Sequence, residues 1–289
     1  MNNDILLLLQ EKAPTFSKGQ RAISKYITEA YDKAAFMTAS KLGKTVGVSE
    51  STVVRFAVEL GFEGYPEMQK AMQEMVLNRL TSVQRIEVAN DRFGDQDVVS
   101  TVLQSDIDKL RKTGDSLDRE AFRDAIHAIL KAKRIFILGV RSVAPLANFL
   151  GHYLSYMFYD VNVVTASASS EVFEKLVNIT SDDVVVAFSF PRYSTAAVNG
   201  AEFCRKIGAT VIGITDTKLS PLAKHCDHLL LCKSDMLSLV DSLVAPMSII
   251  NAMIVALASK RETEIAKTFT ALERVWEEYN VYEKQDEQK

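Results

Sequence analysis

Two rhythms of apolar spacing divide the chain. From about residue 15 to 80, apolar side chains recur three and four apart: Ile23, Ile27, Ala30 and Tyr31, then Leu42 and Val46, then Val53, Phe56, Ala57 and Leu60. That spacing lines one face of a helix. Glycines at 43, 47, 61 and 64 punctuate it, and no β-rich run interrupts, so the pattern predicts consecutive short helices. From about 133 to 260, short apolar runs alternate with helical patterns. Strands are predicted at 134–140, 161–165, 184–190, 210–215 and 228–232, and helices at about 143–159, 170–178, 194–207 and 219–225. Runs rich in β-branched residues and apolar on both sides suit a parallel sheet covered on both faces. Their alternation with helices predicts a doubly wound α/β domain.

The segment 81–97 is polar, mixed in charge and holds Gly94; it reads as a linker or linker helix. Helical periodicity resumes over 98–131. A core helix over 236–257 is expected to cover the sheet. A tail helix over 262–282 places Ile265, Phe269, Leu272, Val275 and Trp276 on one side, for packing in a core or an interface. The resulting division is a helical domain at 1–80, a linker at 81–105, and an α/β domain with a C-terminal helix at 106–289.

Composition narrows the class. The 289 residues are 47% hydrophobic and 25% charged, which excludes wholesale disorder and fibrous classes and suits about two domains. Three cysteines, an odd and small number, exclude a disulfide scaffold. The run at 5–9 is too short for a signal peptide. The apolar stretch 242–259 carries Pro246, Ser248 and Asn251 and falls short of the ~20 residues of a span, so a buried helix is expected and no membrane partner. Reduced thiols without an export signal point to the cytoplasm.

The net charge is −3, but it is unevenly spread. Between Lys12 and Val58 eight basic residues (Lys12, Lys18, Arg21, Lys25, Lys33, Lys41, Lys44, Arg55) face three acids (Glu29, Asp32, Glu50), a local net of +5 that leaves −8 for the rest. A basic module on an acidic protein is the footprint of a localised DNA-binding head. Within it lies a helix-turn-helix pattern. A first helix is expected from about Thr38 to Thr45. Gly47 sits where the turn needs positive φ, and Ser49 is placed to cap the next helix. Val53, Phe56, Ala57 and Leu60 share its inner face, while Ser51, Thr52, Arg55 and Glu59 share the outer one. Hydroxyls near a helix start reach phosphates or base edges, and arginine binds a guanine edge in bidentate fashion. The candidate DNA contacts are Lys41, Lys44, Ser49, Ser51, Thr52 and Arg55. The alternative is a helical bundle whose polar face is merely solvated.

The run 16–72 resembles the N-terminal domain of RpiR-type (MurR/RpiR) transcriptional regulators. The matching pieces are Phe16-Ser-Lys-Gly-Gln20, Thr38-Ala-Ser-Lys-Leu42, Gly47-Val-Ser-Glu-Ser-Thr-Val-Val-Arg-Phe56 and Leu60-Gly-Phe-Glu-Gly-Tyr-Pro66. The resemblance implies that this region binds operator DNA.

In a doubly wound sheet, ligands lie beyond the carboxyl ends of the strands. Three loops there, 139–143, 166–171 and 189–195, bring hydroxyls, helix-start N–H groups and two arginines together, which suits a phosphate or another anion. The candidate ligand contacts are Arg141, Ser142, Ser169, Ser189, Arg192 and Ser194. The alternative for each serine is an ordinary helix cap. Residues from about 133 to 255 are similar to a sugar isomerase (SIS) domain, through Ile135-Phe-Ile-Leu-Gly-Val-Arg-Ser142, Asp183-Val-Val-Val-Ala-Phe-Ser189, Gly208-Ala-Thr-Val-Ile-Gly-Ile-Thr215, Ser220-Pro-Leu-Ala223 and Cys226-Asp-His-Leu-Leu-Leu231. The resemblance implies phosphosugar binding, with Ser142, Ser189 and Ser194 matching family hydroxyls. The chain departs from the pattern at Arg141, where the family has a glycine, and at Pro191 and Arg192, where it has serine and glycine.

The expected fold is α/β: an all-α helix-turn-helix N-terminal domain followed by a doubly wound five-stranded parallel-sheet SIS domain. The expected function is a regulator of carbohydrate metabolism genes that senses a phosphosugar or related anion and works as a homodimer or higher homo-oligomer, because paired recognition helices meet paired half-sites. The alternative is a phosphosugar isomerase or lyase, for which Glu171 and His152 are the only base candidates. No catalytic residue, metal ligand or cofactor is assigned. Gly139-Val-Arg-Ser is no dinucleotide fingerprint, and His225, Cys226 and His228 match no zinc spacing.

Overall fold

The computed structural model describes residues 5–79, 85–86, 97–166, 168–234, 236 and 239–282. Contacts divide the chain into two units, Met1–Gly94 and Asp95–Lys289.

In the first unit the helical spacing becomes α1 (Ile5–Lys12), α2 (Lys18–Glu29), α3 (Tyr31–Ala34), α4 (Ala39–Val46), α5 (Glu50–Glu59) and α6 (Tyr65–Arg79). Local chemistry sets their ends. Ser17 and Gln20 form a reciprocal capping box at α2, satisfying two helix-start donors at once. Thr38 caps α4 and Ser49 caps α5. The expected recognition pair thus lies at α4 and α5, with Gly47 at φ 76° in the turn. Phe16, Ile23, Ile27, Leu42, Val53, Phe56, Met68 and Met72 form the core, and Phe16 meets Phe56 edge-on at 5.2 Å. From α6, Tyr65 Oη and Gln69 Nε2 donate to the Met37 carbonyl at 2.6 and 2.8 Å, and Gln73 Nε2 donates to the Ala35 carbonyl at 3.0 Å. These bonds hold the segment leading into α4.

The second unit opens with α7 (Val98–Ser116) and α8 (Arg119–Lys131). Residues 98–105, placed in the linker by the sequence, are therefore the first turns of α7, begun by Asp97, whose carboxylate accepts from Val99 and Ser100 N–H. Then follow β1 (Ile135–Leu138), α9 (Ala144–Leu154), β2 (Val161–Val164), α10 (Ser169–Leu176), β3 (Val184–Phe188), α11 (Thr195–Ile207), β4 (Thr210–Thr215), β5 (His228–Leu231), α12 (Val244–Ala258) and α13 (Glu262–Glu278). All five strands pair in parallel in the order β2-β1-β3-β4-β5. Successive strand residues serve two separate cores. Ile135, Ile137, Val186 and Phe188 pack with residues of α8, α9 and α12, and Phe136, Leu138, Val185 and Ala187 pack with α10 and α11. This is the two-faced burial that the apolar runs predicted. At Gly151 a Cβ would come within 2.3 Å of Val163 Cγ2, so glycine there lets α9 approach β2.

Four expected helices differ, and the one over 143–159 ends at Leu154. Residues 219–225 form a loop ending in a 3₁₀ turn, Ala223–His225. Leu219 N–H turns to Thr217 Oγ1, and Pro221 removes a donor, so side-chain bonds and proline displace the helix. The helix expected over 236–257 begins only at Val244. Pro246 suits a first turn, and ahead of it Met236 bridges to Asp241 while Ser234 Oγ donates to the Ser242 carbonyl. The tail helix stops at Glu278 rather than 282: Asn280 adopts φ 50° and Val281 N–H returns to the Trp276 carbonyl, a left-handed helix stop.

Candidate DNA-reading surface and ligand crevice

The α4–turn–α5 segment presents one polar face. Lys41, Lys44, Ser49, Ser51 and Arg55 are exposed, and Thr52 is half-buried. Ser49 Oγ accepts from Thr52 N–H at 3.2 Å and hydrogen-bonds the Ser51 and Thr52 hydroxyls at 2.9 and 2.8 Å. Arg55 Nε donates to the Ser51 carbonyl at 3.3 Å, laying the guanidinium along the helix. Glu59, expected on the same face, is tied to α2 instead: its carboxylate accepts from Gln20 Nε2, and its carbonyl accepts from Lys12 Nζ at 2.5 Å. Two residues that the sequence reading passed over, Val54 and Val58, are exposed on α5. They lie outside the angular range that the buried residues of α5 define.

At the other site, topology supplies the position. Strand β1 has β2 on one side and β3 on the other, so the chain leaves in opposite directions from β1 and β3. A crevice opens at such a switch point. The loops after these two strands carry Arg141 and Arg192, and both adopt left-handed backbone, with φ 59° and 64°. These are the two positions where the SIS pattern has glycine. The fold keeps the glycine-like backbone and places a cation on it.

Among the described residues, the hydroxyls of these loops do not act as caps. The 3₁₀ turn Arg141–Val143, α9 and α10 are begun by Val140, Val143 and Ala168, and none of these starts has a side-chain cap. Ser194 occupies the cap position of α11 yet makes no capping bond. Ser142 is exposed, and Ser169 is the first residue of α10. Ser189 is only 2% exposed, and its Oγ has no hydrogen-bond partner among the described residues. A buried hydroxyl without a partner is costly, by about 1–3 kcal/mol, unless a ligand supplies one.

The sequence missed the neighbours that hold the third loop. Thr215 Oγ1 donates to the Ser189 carbonyl at 2.6 Å. Tyr193 Oη donates to Asp216, at 3.0 Å to Oδ1 and 3.2 Å to Oδ2. Burial pushes the Asp216 carboxyl above its ordinary value, against the opposing pull of the Tyr193 bond. Thr215 and Asp216 stand at the carboxyl end of β4, so the strand-end rule applied to the first three loops reaches them too.

Other chemistry is weak. Burial pushes the Cys204 and Cys226 thiols up to about 12, which keeps them protonated. Among the described residues no cluster of His, Cys, Asp and Glu suits a metal. A cavity of about 440 Å³ lies along the edge strand β5, where the four carboxylates of Asp118, Glu120, Asp124 and Asp227 outnumber the one cation, Lys218, a lining that disfavours anions. His152 Nε2 is paired with Tyr156 Oη at 3.1 Å, and its ring packs edge-on against Tyr153 and Tyr156. Among the described residues no single helix is long and apolar enough to cross a membrane.

Residues 3–78 match the helix-turn-helix domain of the rpiR family, and residues 128–256 match the SIS domain. The chain is 25% identical over 224 residues to the HTH-type transcriptional regulator HexR of Escherichia coli, covering 77% of this chain and 75% of that one. Its fold resembles the sugar isomerase domain of an RpiR transcription factor from Sphaerobacter thermophilus, with TM-score 0.58 and 24% identity over 61% of this chain and 97% of that one. It also resembles the Vibrio vulnificus NanR protein complexed with ManNAc-6P, with TM-score 0.58 and 19% identity over 94% of this chain and 98% of that one. With a head of that type, a five-stranded parallel SIS sheet and relatives that are regulators, the chain belongs to the RpiR family of helix-turn-helix transcriptional regulators.

Proposed function

We propose that this regulator binds operator DNA through α4 and α5 and senses a phosphosugar or related anionic metabolite in the crevice between the β1 and β3 loops. On this reading Lys41, Lys44, Ser49, Ser51, Thr52 and Arg55 contact the duplex. Arg141, Ser142, Ser169, Ser189, Arg192 and Ser194 contact the metabolite. The observation that carries the sensing role is the buried Ser189 hydroxyl, which has no partner among the described residues and opens the third of the strand-end loops. NanR, a structural relative, holds ManNAc-6P, which fits the same ligand class. The genes controlled are those of carbohydrate metabolism, and the setting is the cytoplasm.

The mechanism is linkage. A metabolite shifts a regulator only by its differential affinity for two arrangements. A homodimer or higher oligomer presents two heads to half-sites about 34 Å apart or a multiple of it, and the favoured arrangement sets how both heads engage. The protein is a sensor rather than an enzyme. Isomerisation needs a positioned base, His152 is engaged by Tyr156, and Glu171 is exposed at the start of α10.

A thermal-shift screen of hexose, pentose and N-acetylhexosamine phosphates tests the sensor. A hit is expected to raise Tm without being turned over. Ser189→Ala or Arg192→Ala is expected to abolish that shift and the effect on DNA while leaving bare DNA binding intact. Arg55→Ala is expected to weaken DNA binding at fixed salt and leave the shift unchanged. A full shift in the Ser189 and Arg192 variants would place the ligand elsewhere, and turnover of the hit would make the protein an enzyme.

A further inference from the structure

Val54 and Val58 are 38% and 54% exposed on α5, whose other face, Val53, Phe56 and Ala57, is wholly buried. At about 100° per residue, the direction opposite that buried face falls among Ser51, Arg55 and Val58, with Val54 on its flank. Glu59 is drawn aside by Gln20. The strip of α5 farthest from the core is therefore one hydroxyl, one guanidinium and two isopropyl groups, with the exposed Glu50 and Glu59 off to its sides. Valine is a mediocre helix former, and its exposed methyls gain nothing from water, so neither propensity nor burial accounts for two of them one helical turn apart.

The occupant follows from what surrounds them. The patch is continuous with Ser51 and Arg55, which the reading above assigns to DNA, in a segment of net charge +5. In the major groove, the feature complementary to an isopropyl group is the 5-methyl of thymine. Resting on the DNA-binding reading, we propose that Val54 and Val58 are specificity-determining residues that read thymine methyl groups near the base contacted by Arg55. Four residues of helix advance about 6 Å and one base pair about 3.4 Å, so the two methyls lie about two steps apart.

The test removes the methyl and nothing else. The full-length protein selects duplexes from a random library, and an enriched duplex is remade with deoxyuridine replacing thymidine at one position at a time. About 0.8 kcal/mol per buried methyl-sized group converts to a roughly fourfold loss of affinity. That loss is expected at two positions about two steps apart and not elsewhere. Val54→Ala and Val58→Ala, both at exposed sites and expected to fold normally, should each erase the uridine sensitivity of one position. Arg55→Ala should lower affinity for every duplex and preserve the uridine pattern. Equal binding of thymidine and deoxyuridine duplexes by an enriching protein overturns the methyl reading and leaves the DNA reading standing. Uridine sensitivity that survives both valine substitutions overturns it as well. Failure to enrich any duplex overturns both readings.

Discussion

Arg141 and Arg192 hold backbone that L-residues adopt at a penalty of about 1–2 kcal/mol, and strain of this kind gathers where a ligand is held. They sit in the loops that follow the adjacent strands β1 and β3, and Ser189, whose buried hydroxyl has no partner among the described residues, opens the second of these loops. Glycine accepts φ near 60° without that penalty, although it returns up to about 1 kcal/mol of disorder to the unfolded chain. Arg141→Gly is therefore expected to stabilise the second unit by about 0.5–1 kcal/mol, raising its Tm by roughly 1–4 °C, and Arg192→Gly by less, because the Arg192 side chain makes an interaction of its own; both weaken the metabolite-induced shift. Scanning calorimetry with and without metabolite checks both halves. A lower Tm in both variants would show that the arginine side chains make stabilising contacts larger than the strain. The sequence marked both positions as departures from a glycine pattern. It did not reveal that the backbone keeps the glycine geometry.

At the scale of elements, one ion pair fastens the sheet where sequence order separates its strands. Arg134, just ahead of β1, donates to Asp183, just ahead of β3, through Nε at 3.0 Å and Nη2 at 2.7 Å. Thr180 N–H and Oγ1 also donate to that carboxylate, at 2.7 and 2.9 Å. Burial pushes the Asp183 carboxyl up, but the Arg134 and Thr180 bonds together outweigh it and hold the group below its ordinary value. Its stabilisation is therefore present above the ordinary carboxylate value of 3.8 and lost as pH falls through the lower folded value. Arg134→Ala strands a buried carboxylate, so a loss of about 3 kcal/mol is expected at pH 7. The deficit should narrow toward pH 4, where the stranded group takes up a proton. Urea denaturation at several pH values measures it. A pH-independent deficit would assign the loss to packing of Arg134 over Phe136, whose ring lies 5.4 Å from the guanidinium.

At the scale of the whole molecule, the head and the sheet domain have separate cores, one centred on Phe56 and Met68, the others on the two faces of the sheet. A core aromatic removed from one unit should leave the other folded. Phe56→Ala is expected to destabilise the head by about 3–5 kcal/mol and to abolish DNA binding. The metabolite shift of the second unit should persist. Calorimetry with a phosphosugar hit checks this, and loss of the shift would show that the sensor needs a folded head.

The sequence by itself determined the class of both units. Helical spacing around Val53, Phe56 and Ala57, the punctuation at Gly47 and Ser49, and two-sided apolar strands are local properties, and period and capping are written in consecutive residues. Its errors fell where neighbours in the chain compete. Pro221 and Thr217 dissolved an expected helix, and Pro246 and Asn280 set the ends of two others. What only the tertiary structure decided was which side chains are left over. That Ser189 is buried without a partner among the described residues, that Tyr193 meets Asp216, that Glu59 is drawn to Gln20 while Val58 faces outward, and that β1 lies beside β3 all depend on residues distant in sequence. A hydrophobic pattern states what must be buried, but the packing of distant segments decides which groups remain for a ligand to satisfy.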